Sequence, residues 1–320
     1  MKRLAALGII IVLVLCISPS WAQKAIRLAI ATGGKGGVYY PIGVKLSEII
    51  NKYIHNTEVM AETTGGSAEN GLFIGSKKAD IAFILADTGW NAYRGKAPFK
   101  ERIPVRTIAA LYPSNLYLVT LEERGIEKIA DIKGKNVSTG GPGTVTETMA
   151  VRVLEAYGLS PNKDIKRQKI LFTEAVGALR DKKIDAFFWA GGLSPLSLIE
   201  LGMPPGAKIK LIDQEEVISK IRGKYGPFYT KGVIPAKTYP EQDKDIAVPS
   251  LWNLLVCREE MMTPTVYDIT KAIFEHKSEW VNSRGDEKDF SLESQAAAVS
   301  PIPFHPGAVQ YFAEKGIKIK

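Results

Sequence analysis

The chain repeats itself. Residues 30–51 read IATGGKGGVYYPIGVKLSEIIN, and residues 137–158 read VSTGGPGTVTETMAVRVLEAYG. Aligned without gaps, Thr32, Gly33, Gly34, Gly36, Val38, Val44 and Glu48 fall on Thr139, Gly140, Gly141, Gly143, Val145, Val151 and Glu155, at a constant offset of 107. A second echo follows. SKKADIAFIL from Ser76 and DKKIDAFFWA from Asp181 set Lys77, Lys78 and Asp80 against Lys182, Lys183 and Asp185, now at an offset of 105. Self-similarity of this kind constrains a fold more than any single motif, because each copy must build the same unit. Two halves that independently use the grammar of a βαβ unit give the same pattern and the same architecture.

Each half reads strand, Gly turn, helix, strand, helix, strand. In the first, AIRLAIA, Val38–Tyr53, TEVMAET, Ser67–Lys78 and DIAFILA take those places; in the second, KNVST, Val145–Tyr157, KRQKILF, Glu174–Lys182 and DAFFWA do. Strands alternating with helices imply an α/β fold with mainly parallel sheets flanked by helices. The apolar run Leu116–Leu121 carries the chain out of the first half. AVPSLWNLLVCREE, followed by the helical pattern of TPTVYDITKAIFEHKSEW, carries it back. Two crossings predict a bilobal molecule with residues 23–117 plus 251–320 in lobe 1 and residues 118–250 in lobe 2. A cleft between two such lobes is where a small ligand binds, with hinge closure around it.

The N-terminus has the order of a secretory signal peptide: basic Lys2-Arg3, the 14-residue apolar run Leu4–Ile17, then small residues Ser20 and Ala22 around Trp21. That run is shorter than the roughly 20 residues of a membrane-spanning helix. Cleavage after Ala22 leaves an exported chain whose formal charge falls from +8 to +6 with the loss of Lys2 and Arg3. The excess is spread out, with no basic stripe interleaved with aromatics, which argues against nucleic acid as a partner. Cys257 is then the sole cysteine, so no internal disulfide forms.

In such folds ligands bind beyond the carboxyl ends of the strands, against helix N-termini whose free N–H groups favour an anion. The two TGG turns are such places, and TTGGSAEN supplies a third. Around them Tyr39 offers a ring and a hydroxyl, Ser67 and Asn70 can bond a carboxylate or amide, and Thr144 and Thr146 offer hydroxyls. Asp87 can pair with an amino group. Each also has a structural role open to it: Ser67 and Thr144 as helix caps, Asp87 as a turn cap, Tyr39 as core.

Catalytic chemistry finds little support. Gly34-Lys35-Gly36-Gly37-Val38-Tyr39 places Tyr39 where a dinucleotide fingerprint needs its third glycine, and no Gly-x-x-x-x-Gly-Lys-Ser/Thr loop is present. The nearest stretch to Gly-x-Ser-x-Gly is GGLSPL, with Leu196 in the last place. His55, His276 and His305 are far apart and lack metal-ligand spacing. His305, among prolines, reads as structural. No cofactor and no metal is implied, and binding rather than catalysis is expected.

Taken in order along nearly the whole exported chain, TGGKGGVYYPIG, TTGGSAENGLFIGSKKADIAFILAD, IAALYPSNLYLV, IADIKGKNVSTGGPGTVTETMAVRVLEAYGL, KIDAFFWAGG, IPAKTYPEQDKDI and PFHPGAVQYFAEKG resemble the TAXI family, the extracytoplasmic solute-binding proteins of TRAP transporters. The resemblance implies a two-lobed type II periplasmic-binding-protein fold. It implies a TRAP membrane permease as partner and glutamate, glutamine or a 2-oxoglutarate-like acid as ligand. Carried over by position, it favours Gly37, Val38, Tyr39, Ser67 and Asp87 in the first lobe, and Gly143, Thr144, Thr146 and Phe188 in the second. The chain departs from the family pattern in GPGTVTE, at Ser114 and at Trp189, all near the expected cleft. The expectation is a monomeric, periplasmic, non-catalytic receptor. A secreted enzyme or a sensory ligand-binding protein on the same fold is the alternative.

Overall fold

The computed structural model describes residues 25–35, 38–142, 144–191, 208–239, 242–281, 289–296 and 300–319. The expected signal peptide, residues 1–22, lies outside them. Where mainly parallel sheets, one to each lobe, were expected, the described strands form one mixed sheet in the order Thr57–Glu62, Ile26–Ala31, Ile81–Leu85, Ile246–Arg258, Val105–Leu121, Ala186–Gly191, Asn136–Ser138, Lys166–Gln168, with Ile209–Leu211 on Val105–Leu121 and Tyr229–Ile234 on Ile246–Arg258.

The repeat is visible in the topology. In the first half, β1 (Ile26–Ala31) pairs in parallel with β2 (Thr57–Glu62) and β3 (Ile81–Leu85), with α1 (Tyr39–Tyr53) and α2 (Ser67–Gly75) as connections. In the second, β5 (Asn136–Ser138) pairs in parallel with β6 (Lys166–Gln168) and β7 (Ala186–Gly191), connected by α4 (Val145–Tyr157) and α5 (Phe172–Arg180). Apolar residues at helical spacing make α1 a packing element: Ile42, Leu46, Ile49 and Ile50 are buried.

The repeated Lys-Lys-x-Asp segments do the same work in both halves. Lys77 and Lys182 each take a left-handed conformation, at φ 60° and 61°, and turn the chain out of a helix toward the next strand. The Asp80 carboxylate accepts from the Ala29 N–H at 2.9 Å, and that of Asp185 from the Asn136 N–H at 2.8 Å. Each is then held by an arginine: Arg258 for Asp80 at 2.6 Å, Arg124 for Asp185 at 3.2 Å. The sequence echo thus encodes the joint that seats the third strand of each half beside the first.

Two long strands join the halves. β4 (Val105–Leu121) and β10 (Ile246–Arg258) run antiparallel to each other. β3 pairs antiparallel with β10 and ends with Leu85 opposite Asn253, itself opposite Tyr112 of β4. β7 pairs antiparallel with β4 and ends with Gly191 opposite Asn115, itself opposite Ser250. The parallel strands of the two halves therefore run in opposite directions, and their carboxyl ends converge on residues 112–115 and 250–253. This is the waist of the sheet.

The expected crossing at Leu116–Leu121 is the second part of a longer strand that begins at Val105. Its first part is buried on both faces, which hides strand alternation. Sequence reading also missed helices, among them α3 (Ala86–Arg94), which starts directly at the end of β3, and α6 (Glu215–Tyr225). An internal glycine disguises α3. A Cβ at Gly89 would lie 2.6 Å from the Cδ1 of Ile302, so close packing there requires glycine. β8 (Ile209–Leu211) and β9 (Tyr229–Ile234) complete the strands, and α7 (Thr263–Glu275), α8 (Leu292–Ala296) and α9 (Pro306–Glu314) follow β10. Among the described residues no helix is long and apolar enough to cross a membrane.

His305 is a buried cap. Its Nδ1 accepts from the Gly307 N–H at 3.2 Å at the start of α9, which leaves Nε2–H to donate to the Met261 carbonyl at 3.0 Å. Burial lowers its pKa from the ordinary 6.5, opposed by the Met261 carbonyl and reinforced by the charge of Arg106. With a lowered folded pKa, the neutral form stabilises the fold. That contribution is whole above the unfolded value and is lost as pH falls through the folded one. Urea midpoints measured from pH 7.5 to pH 5 should therefore fall. In His305→Asn, which keeps a capping acceptor that does not titrate, the same pH change should lower the midpoint less.

Candidate functional site

The waist gathers polar side chains that an apolar sheet interior would otherwise exclude. Tyr39, the first residue of α1, stacks on Phe83 of β3 with ring centroids 5.0 Å apart. Its hydroxyl donates to Asn253 Oδ1 at 2.6 Å. Asn253 Nδ2 donates in turn to Ser114 Oγ at 2.8 Å and to the Tyr112 carbonyl at 3.1 Å. Burial drives the Tyr39 phenol well above its usual pKa; the Ser67 hydroxyl opposes the shift and the Asp87 charge adds to it. The phenol is thus a neutral donor at any physiological pH, tying the start of α1 to both crossing strands. Beside this network, Asn115 Oδ1 and Ser250 Oγ are buried without a hydrogen-bond partner, on directly opposed residues of β4 and β10.

The expected site residues fall into distinct places. Gly37 and Gly143 lie outside the described residues. Val38 stands at the N-cap of α1 with 45% exposure and no capping hydrogen bond. Ser67 is the first residue of α2, not its cap; Gly66 holds that position, and Ser67 Oγ accepts from the Leu85 N–H at 3.1 Å. Ser67 cannot cap its own helix because it already has helical geometry, so its hydroxyl ties α2 to the end of β3. Tyr39, Ser67 and Asp87 come together where α1, α2 and α3 begin.

Asn70 is fully buried, and its amide is spent on the backbone. Nδ2 donates to the carbonyls of Thr32 at 2.6 Å and Phe83 at 2.7 Å, while Oδ1 accepts from Thr64 Oγ1 at 2.6 Å. It clamps the first Gly turn to β3. In the second half, Thr144 caps α4, accepting from the Glu147 N–H at 3.2 Å. Thr146 is buried and accepts from the Ala190 N–H at 3.0 Å. Phe188 is buried in the core. The two turns also differ in backbone. Gly140 has φ +89° and packs against Thr146, so a Cβ there would be strained and crowded; its counterpart Gly33 is outside the left-handed region.

Asp87 lies in the first turn of α3 with 1% exposure. Its Oδ1 accepts from the Thr88 N–H at 2.5 Å and from Thr88 Oγ1 at 3.0 Å, and its Oδ2 pairs with Arg152 Nη1 of α4. Arg152 Nη1 also donates to the hydroxyl of Tyr229 at 2.8 Å. Desolvation works against the charge on Arg152, but the neighbouring Asp87 carboxylate holds its pKa above the ordinary value. Arg152 borders an open groove of about 360 Å³ along α4, which Glu147, Glu155, Arg167 and Tyr225 also line. Sequence reading missed Asn253 and Arg152. Asn253 is hidden in a run read as an apolar strand, and Arg152 has the look of a surface cation on an amphipathic helix.

Among the described residues no cluster of His, Cys, Asp and Glu could hold a metal ion. The chain belongs to the NMT1-like family, which matches residues 30–316. That family is one of non-catalytic solute-binding proteins, and this chain is accordingly a binding protein and not an enzyme. In fold it is similar to XAC2383 of Xanthomonas citri, solved bound to ATP, with 9% identity, coverage of 91% of this chain and 95% of that one, and a TM-score of 0.50. It also matches a putative periplasmic sulfonate-binding protein of Methylobacillus flagellatus KT at 16% identity, 91% and 85% coverage and a TM-score of 0.49. A probable amino-acid ABC transporter extracellular-binding protein of Bacillus subtilis matches at 15% identity, 84% and 97% coverage and a TM-score of 0.45.

The Asn70 clamp makes a testable claim. Asn70→Ala removes three side-chain hydrogen bonds, to the Thr32 and Phe83 carbonyls and from Thr64 Oγ1, and should lower unfolding free energy by about 3 kcal/mol. Thr144→Ala, the loss of one cap, should cost about 1 kcal/mol. Denaturant unfolding of both variants measures the difference.

Proposed function

We propose that this chain is the extracytoplasmic receptor of a TRAP transporter, which captures a small organic anion or amino acid between two lobes and delivers it to the membrane permease. The lobes are residues 23–117 with 251–320, and residues 118–250. One observation carries the reading: the carboxyl ends of both sets of parallel strands face each other across the waist. Each Gly turn and each helix start then lies on the side where ligands bind in such sheets. The helix N-termini supply fixed donors to an anion, and the Tyr39, Ser67, Ser114 and Asn253 network gives the waist neutral polar groups of defined orientation. The continuous resemblance of the exported chain to TAXI proteins supports the TRAP assignment and a glutamate-, glutamine- or 2-oxoglutarate-like ligand. An N-terminal signal peptide cleaved after Ala22 and a periplasmic location follow from the same reading.

Titration of the exported chain with dicarboxylates, 2-oxoglutarate, glutamate, glutamine and an alkanesulfonate tests it. Trp189, stacked on Phe172 at 4.2 Å near the end of β7, provides an intrinsic fluorescence signal. The expected result is a saturable change with at least one acid, matched by calorimetry, with the ligand recovered intact by mass spectrometry. Conversion of that ligand to a product would sink the receptor reading. Uptake into proteoliposomes that hold a TRAP permease separates the transporter types: an ion gradient should drive it without ATP.

A further inference from the structure

We propose that the Asp87–Arg152 ion pair is a latch that holds the two halves against each other in the absence of ligand. This rests on the reading above that the halves move as lobes. Asp87 belongs to α3 in the first half and Arg152 to α4 in the second. Among the described ion pairs it is the one whose partners lie in different halves; the others each close within residues 25–117 and 251–319, or within 118–250. The side-chain hydrogen bond from Gln214 Nε2 to the Leu116 carbonyl also links the halves, but it lies on the crossing strand itself, where rotation moves little.

The two partners are unequal in a way that suits a contact made and broken. The Asp87 side chain is 1% exposed and that of Arg152 21%. If the halves part, Asp87 keeps both hydrogen bonds from Thr88 and its place in the first turn of α3, where a negative charge is favourable. Arg152 leaves with α4 and hydrates through the groove it already borders. Neither group is then a bare buried charge, so the pair can open without a prohibitive desolvation cost. With the latch closed, more of the ligand-free protein has its halves together. The apparent affinity of a ligand scales with the fraction of protein that is competent to hold it.

Double electron–electron resonance on ligand-free protein tests this. Labels at Met60→Cys and Lys166→Cys report from the outermost strands of the two halves. Both positions are exposed, while Cys257 is fully buried and stays unlabelled. Asp87→Asn removes the charge and keeps the shape, and its distance distribution should move away from that of the latched protein. Asp87→Asn/Arg152→Met, which leaves no orphan charge, should move the same way and guards against a local packing artefact. In the titration, Asp87→Asn should weaken apparent affinity by about tenfold. Distributions unchanged in both variants, with circular dichroism showing both folded, overturn the latch. That result leaves the receptor reading standing, since the titration of unaltered protein decides it separately.

Discussion

Everything in this molecule depends on two strands belonging to both halves at once. β4 and β10 lie side by side, antiparallel, and each gives one end to the first half and the other to the second. A strand that continues straight through a waist fixes the direction of whatever pairs with it. Because β3 pairs with β10 and β7 with β4, the two parallel sets must run toward each other. No side chain at the turns has to arrange this. Backbone hydrogen bonding alone aims the carboxyl ends, and therefore the helix N-termini, at a common centre.

That arrangement brings polar chemistry into a place of low dielectric. Tyr39, Ser114 and Asn253 hydrogen-bond one another there, and Asn70 secures the nearby turn. Satisfied networks of this kind fix one arrangement of their elements, since a half-satisfied one costs more than an apolar core. The buried Asn115 Oδ1 and Ser250 Oγ, both without a partner, mark the adjoining stretch of waist where that satisfaction is incomplete. In the second half Thr144 caps α4, and Arg167 braces the turn through Thr139 Oγ1 at 2.8 Å and Glu147 at 2.7 Å.

The repeat and its βαβαβ order were legible because they rest on local signals: Gly turns, helical spacing, short apolar strands. Even the joint formed by Lys77 and Asp80, and by Lys182 and Asp185, shows in the residues, although its meaning emerges only from the backbone they turn. The helix α3 was not legible, since Gly89 serves a contact with Ile302, which is remote in sequence. Of the candidate site, sequence reading named three residues that the fold brings together, without their partners. Tyr39, Ser67 and Asp87 do come together, but their partners Asn253 and Arg152 arrive from the far end of the chain and from the other half. Periodicity places residues along an element; it does not show which distant element meets them. For Asn70, Thr144 and Thr146 the residue type suits a ligand contact and a backbone clamp equally, and in the structure each is hydrogen-bonded to backbone groups.

The chain order of the crossing strands also sets a sequence of events during synthesis. The second half is contiguous, and once residues 118–250 have emerged it has β4, β7, β5 and β6 to pair. The first half does not: β3 needs β10 as its neighbour, and α7 and α9, which pack in the same core as α1, come later still. An unpaired edge of β3, with five consecutive buried residues, waits through the synthesis of everything between. The segment most exposed to misassembly is thus one made early, and the late arrival of residues 246–258 closes it.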